Sequence, residues 1–246
     1  CDQAGRCISE TVDGGASWMM QFENKNPAAF YDCFAFWTPN RGISHSDSVD
    51  GVFPDLRTTD GVNWLDISSN MPPALPGEGS FASSGTCVAT QGGQNAWIAT
   101  GASTTARVLA TRDGGDTWEA YDTPLVSSPS AGAFTAAFRN PWNGIVGGGD
   151  LDPGFPNNAA TATSSDGGVT WTLTNAPSVT GAIFGLAYAH GVGNGDGEGS
   201  RTVVITANAG GAAWTPDEGD TWFSLPGVTG YWAVAFASPK AGWLVG

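Results

Sequence analysis

One phrase recurs five times along the chain in the same order of Ser or Thr, Asp, Gly and Trp: TVDGGASW from Thr11, TTDGVNW from Thr58, TRDGGDTW from Thr111, SSDGGVTW from Ser164 and TPDEGDTW from Thr215. The acidic positions Asp13, Asp60, Asp113, Asp166 and Asp217 are 47, 53, 53 and 51 residues apart. A near-constant period of this length means an array of supersecondary units that stack on one another. The phrase itself specifies a tight hairpin. An Asp carboxylate accepts hydrogen bonds from the backbone N–H groups just after it, and the following Gly adopts the positive φ of the turn. The Ser or Thr two residues earlier adds a hydroxyl. The Trp that follows (Trp18, Trp64, Trp118, Trp171 and Trp222) opens the next strand and offers a broad apolar face for packing between units.

A second signature precedes the Asp turns, in DCFAFWTPNRGI (32–43), FTAAFRNPWNGI (134–145) and WAVAFASPKAGW (232–243). Each is an apolar run broken by a Pro/Gly/Asn turn and resumed, which reads as a β-hairpin. Two hairpins make four strands per unit. No stretch sustains a helical period, and 36 Gly and 15 Pro punctuate the chain too often for long helices. The expectation is an all-β domain, a propeller of radially stacked four-stranded blades. Residues 1–24 supply the last two strands of one blade, whole blades follow at about 28–70, 80–125, 132–178 and 182–226, and 229–246 supply two more strands. Two arrangements suit these ends. They combine into a composite blade that closes a five-bladed ring, or the chain is an incomplete part of a six- or seven-bladed propeller, which is the reading preferred here.

The repeated phrase resembles the Asp-box, or BNR repeat, of sialidase-like β-propellers, Ser/Thr-x-Asp-x-Gly-x-Thr-Trp. The copies at 111–118 and 164–171 match in full, those at 11–18 and 215–222 are close, with Ser17 for Thr in the first, and the copy at 58–64 is one residue shorter with Val62 in the Gly position. The order DCFAFW then RTTDG, and GIVGGGD then SSDGG, is similar to bacterial BNR proteins related to the photosystem II stability and assembly factor. That resemblance implies an extracytoplasmic scaffold, periplasmic or secreted, that docks a protein or a carbohydrate on one face. A sialidase-like glycosidase is the alternative. It would need an arginine triad, and the Arg-Ile-Pro stretch that carries the first of those arginines is absent; Arg57, Arg107, Arg139 and Arg201 show no triad pattern, and Arg41 and Arg112 adjoin turns of the opposite face. Tyr31, Tyr121, Tyr188 and Tyr231 all suit interblade packing as well as they suit a nucleophile's role.

Strand order defines two faces. The hairpin turns, including every Asp turn, share one; the second-to-third-strand and blade-to-blade connections share the other, where propeller sites usually lie. On that second face, SHSDSVDGVFPD (44–55) and GGGDLDPGFPNN (147–158) gather His45, Asp47, Asp50, Asp55, Asp150 and Asp152. Clustered carboxylates bind a cation or sugar hydroxyls, or work as an acid/base pair; they also cap their own turns. His45 shows no evident partner and reads as structural. NGDGEG (194–199) imitates the start of a calcium loop, but position twelve is Ile205.

The net charge is −14 with only 9 Lys and Arg, which excludes a nucleic-acid partner because phosphate contacts require clustered cations. No zinc spacing of Cys and His and no dinucleotide fingerprint occurs, so no metal or cofactor is expected. No segment has the length of a transmembrane helix. Cys1 and Cys7 are placed to pair locally, as in an oxidising compartment. Cys33 and Cys87 occupy equivalent positions in adjacent units, and strands of neighbouring blades are expected to stand too far apart for bonding, so these read as two buried thiols. A mature lipoprotein also begins with Cys, making membrane association through an upstream segment the alternative to a free secreted domain.

Overall fold

The computed structural model describes residues 5–152, 158–189 and 200–246. They contain no α-helix and form four antiparallel four-stranded sheets between two terminal hairpins. The first hairpin is β1 (Cys7–Glu10) and β2 (Met19–Glu23). The first full sheet is β3 (Tyr31–Thr38), β4 (Arg41–Ser46), β5 (Leu56–Thr58) and β6 (Trp64–Asp66). The second is β7 (Val88–Gln91), β8 (Asn95–Thr100), β9 (Arg107–Thr111) and β10 (Glu119–Asp122). The third is β11 (Ala131–Phe138), β12 (Gly144–Asp150), β13 (Thr161–Ser164) and β14 (Thr172–Leu173). The fourth is β15 (Gly185–Tyr188), β16 (Val203–Thr206), β17 (Ala212–Thr215) and β18 (Phe223–Ser224). A last hairpin, β19 (Ala233–Ser238) and β20 (Ala241–Val245), ends the chain. Strands within each sheet follow sequence order, as blades do. The terminal hairpins remain separate two-stranded sheets and do not form a composite blade.

The Asp turns share one hydrogen-bond pattern. In the turn after β9, Asp113 Oδ1 accepts the Asp116 and Thr117 N–H groups (3.0 and 2.9 Å), Asp113 Oδ2 accepts the Thr117 hydroxyl (2.7 Å), and the Thr111 hydroxyl accepts the Gly115 N–H (3.0 Å). Asp166 repeats this with Val169, Thr170 and Ser164. The Ser17 hydroxyl and N–H hold the exposed Asp13 carboxyl down to about 2. Asp113 and Asp166 also lie at about 2: burial, the largest single effect, pushes them up, and the hydroxyl and N–H bonds of Thr117 and Thr170, with those of Thr111 and Ser164, together outweigh it. In the shortened turn Asn63 substitutes for Thr, donating its N–H and its amide to Asp60 (2.8 and 2.7 Å).

Turn carbonyls then receive donors from the preceding sheet: Asn70 Nδ2 to Gly115 (2.9 Å), Trp97 Nε1 to Gly167 (2.7 Å) and Asn175 Nδ2 to Asp220 (2.7 Å). The Pro/Gly hairpins carry their own packing rule. Phe36 pairs across the strands with Gly42, Phe138 with Gly144 and Phe236 with Gly242. A Cβ on those glycines would stand 2.7, 2.5 and 2.5 Å from the ring, so the ring lies flat on bare backbone. The second sheet has Thr90 opposite Ala96 at the same place: without a ring, a methyl fits.

Two buried thiols at Cys33 and Cys87 is a reading the structure corrects. They form a disulfide, with Cα atoms 5.9 Å apart. First strands of successive sheets converge, close enough for the Ala136 N–H to reach the Thr86 carbonyl (3.3 Å) and for the Thr86 and Thr135 hydroxyls to meet at 2.8 Å; blades diverge only outward. The Cys1–Cys7 pairing and the 194–199 loop lie outside the described residues, because Cys1 and 190–199 do.

Candidate functional site

His45, Asp47 and Asp55 come together at one end of the first full sheet, joined by Asp32, a residue that sequence reasoning treated only as part of a strand. His45 lies near the end of β4 and is fully buried against Phe53. A buried imidazole needs partners, and its Nδ1 meets both oxygens of the equally buried Asp55 at 2.9 Å. Asp55 Oδ1 also accepts the Ser46 N–H (3.0 Å). Burial opposes the imidazolium, but the Asp55 carboxylate outweighs it and raises the His45 pKa. The expectation that His45 has no partner is thereby corrected; Asp55, ten residues on, lies beyond the turn.

Asp32 sits where the register slips between Tyr31 and Cys33, and such a bulge re-aims the side chain at the extra position. Burial, and then the neighbouring Asp47 carboxylate, push the Asp32 carboxyl up to about 8. Both causes favour the protonated form of Asp32 beside Asp47. Asp47 in turn accepts the Ser80 N–H (2.9 Å) and touches the Gly79 backbone, where any Cβ would be 2.0 Å from Oδ1. Chemically the cluster comprises two neighbouring carboxyls, Asp32 and Asp47, and a histidine–carboxyl pair, His45 and Asp55, bound into the connection between the first and second sheets. Asp32 also borders a cleft of about 500 Å³ whose walls include Trp18, Tyr31, Phe34, Phe36 and Trp64.

The remaining candidates lie apart from the cluster. Asp50 occupies the exposed tip of a turn at φ 52°, followed by Gly51 at 80°, the Asp-Gly pattern of a type I′ hairpin. Asp150, at the end of β12, is buried and accepts the Ser130 hydroxyl and the Asp152 N–H, both at 2.9 Å. Among the described residues no group of three or more His, Cys, Asp or Glu side chains is arranged to hold a metal ion.

A buried Glu on the same face was not legible as a candidate. Glu78 accepts Arg107 Nε (2.9 Å), the Thr100 hydroxyl (2.7 Å) and the Leu75 N–H (2.7 Å). The arginines serve separate places: Arg57 pairs with Asp116 (2.6 Å), Arg112 donates to the Gly167 carbonyl, and Arg139 and Arg201 meet Glu218. The most exposed tryptophans, Trp18, Trp142 and Trp243 (65, 60 and 59%), lie in three different units.

No protein-family model and no curated protein matches the chain. Solved structures do match. An ancestral GH74 enzyme superposes with a TM-score of 0.64 at 14% identity, over 96% of this chain and 31% of its own. The fold is that of a β-propeller built of four-stranded blades. The GH74 xyloglucanase from Xanthomonas campestris matches this propeller with a TM-score of 0.56 at 16% identity, covering 89% of the chain and 35% of the enzyme. YCF48 from Cyanidioschyzon merolae matches with 0.51 at 16% identity, covering 88% and 64%. The propeller thus spans about a third of the length of these GH74 enzymes and under two thirds of YCF48.

Proposed function

We propose that the propeller is a non-catalytic, extracytoplasmic scaffold that binds a protein or carbohydrate ligand on the face opposite the Asp turns. The observation that carries this reading is the commitment of three of that face's acids, Asp47, Asp55 and Asp150, to the fold. Asp55 is spent on His45 and Ser46, Asp47 on Asp32 and Ser80, and Asp150 on Ser130 and Asp152, whereas an acid/base pair needs carboxyls that reach the substrate. Export is favoured by the Cys33–Cys87 disulfide, a bond that reducing cytosol disfavours.

One observation favours a second reading, a glycosidase. Asp32, its carboxyl pushed up to about 8 by burial and by neighbouring Asp47, borders an aromatic-walled cleft, the environment of a general acid. Incubating purified protein with a sialoside and with a xyloglucan separates the two. The scaffold predicts no product above the level of the Asp32→Asn variant. Release by the wild type that is lost in both Asp32→Asn and Asp47→Asn would replace the scaffold with a hydrolase.

A further inference from the structure

The last Asp turn departs from the others at its first turn residue. Gly14, Gly61, Gly114 and Gly167 fill this position with φ between 73° and 80°, but the fifth turn places Glu218 there at φ 60°. A side chain in this left-handed region costs about 1–2 kcal/mol, and such an outlier points to a use for the side chain. Glu218 Oε1 accepts Arg139 Nε (2.8 Å) and the Tyr188 hydroxyl (2.7 Å), and its Oε2 accepts Arg201 Nε (2.9 Å). Arg139 comes from the β11–β12 turn of the third sheet, and Arg201 precedes β16 of the fourth. One carboxylate therefore fixes two guanidiniums across a blade boundary.

Two other arginine–carboxylate pairs among the described residues are one to one, Arg57 with Asp116 and Arg107 with Glu78. Here two cations share one anion. Arg201 has further compensation: its Nη2 donates to the Asp217 carbonyl (3.0 Å), and the Asp217 and Asp220 carboxylates act on it. Arg139 shares its carboxylate and is 12% exposed. Both arginines border a cleft of about 410 Å³ between the two sheets, whose other walls include the hydroxyl residues Thr163, Ser165 and Thr172, with Thr170, whose hydroxyl is given to Asp166. Guanidiniums beside hydroxyl side chains form a donor set that suits oxyanions.

We infer that this cleft, on the face of the Asp turns, is a binding site for a small oxyanion, a carboxylate, sulfate or phosphate group, held by Arg139 with Arg201 and the cleft hydroxyls. Glu218 orients the two guanidiniums and competes with the ligand for their charge. This site is distinct from the acid cluster on the opposite face.

Titration calorimetry at constant ionic strength with sulfate, phosphate and acetate in turn, and chloride as control, tests the assignment and shows which oxyanion the cleft prefers. The expected result is saturable binding to one site, weakened at least tenfold in Arg139→Gln and unchanged in Arg57→Gln. Glu218→Gln, which keeps the side chain's shape and removes its charge, should bind more tightly by about the same factor. If Glu218 only fastens the two blades, that variant loses stability without gaining affinity, which overturns the inference. Absence of saturable binding by all three anions, or equal loss in Arg57→Gln, overturns it as well. Should Arg139→Gln fail to fold, the sign of the Glu218→Gln change decides.

Discussion

Replacing Gly144 with Ala tests the packing rule of the Pro/Gly hairpins. The new Cβ would stand 2.5 Å from Cδ1 and Cε1 of Phe138, against about 3.5–4.0 Å for an ordinary carbon contact. The ring has nowhere to retreat, because it is stacked on the fully buried Trp97 at 3.5 Å and meets Trp171 edge-on. Overpacking of this kind costs about 1–3 kcal/mol, while Ala gains about 0.5–1 kcal/mol over Gly within a strand. The net expectation is a loss of about 1–2 kcal/mol. The second sheet supplies the control, since its equivalent pair is Thr90 and Ala96. In a Phe138→Thr background, itself destabilised by the lost ring, Gly144→Ala should cost nothing or stabilise. Urea unfolding followed by tryptophan fluorescence, with the four species arranged as a double-mutant cycle, gives the coupling energy. A neutral or stabilising Gly144→Ala in the wild type, or an equal penalty in both backgrounds, would refute the reasoning.

Three further outcomes follow from the same structure. Converting both Cys33 and Cys87 to Ala opens a loop spanning 54 residues and should lower stability by up to about 4 kcal/mol on the chain-entropy account; chemical unfolding of the oxidised and variant proteins measures it. Stability should peak in mildly acidic solution. The folded chain keeps the Asp32 proton up to about pH 8 and the His45 proton above its ordinary range, while the unfolded chain releases them near 4 and 6.5, so stability falls as pH rises through this window. Towards acid, the Asp turns, with Asp13, Asp113 and Asp166 at about 2, lose their contribution as pH drops from 4 through 2. Thermal unfolding from pH 2 to 9 checks both limbs: a maximum above pH 7 would contradict the first sign, and no loss between pH 4 and 2 would contradict the second. Finally, Asn63→Ala removes one hydrogen bond to Asp60, the side-chain one, and leaves the backbone one, so it should destabilise measurably less than Asp60→Ala, which also removes the acceptor of the Val62 and Asn63 N–H groups; equal losses in a melting comparison would show that the carboxylate adds nothing beyond that one bond.

The fold was legible because its determinants are local. An Asp carboxylate folding back on the next four residues recurs with every Asp turn, a Gly under a ring on the adjacent strand recurs in three hairpins, and neither needs a long-range contact to be recognised. The site was less so. Asp55 satisfies His45 across a turn, and Asp32 is turned toward Asp47 by a bulge that has no marker in the residue types. The Cys33–Cys87 bond escaped for a geometric reason: equal register in successive units is visible in sequence, but the convergence of first strands that brings Cα atoms to 5.9 Å is a property of the stacked sheets. Glu218 at a Gly position was visible as a departure from the repeat, and only the arrangement of Arg139, Tyr188 and Arg201 around it gives that departure meaning.

The central claim, that the acids of the proposed binding face serve the fold, is tested most directly by the stability of Asp55→Asn. Removing one partner of a buried ion pair costs about 3–5 kcal/mol, and His45 and the Ser46 N–H would lose their shared carboxylate. The account predicts a loss of that order in urea unfolding at pH 6, with the secondary structure retained below the transition. Unchanged or increased stability, the usual response when a residue held for function is replaced, would contradict it.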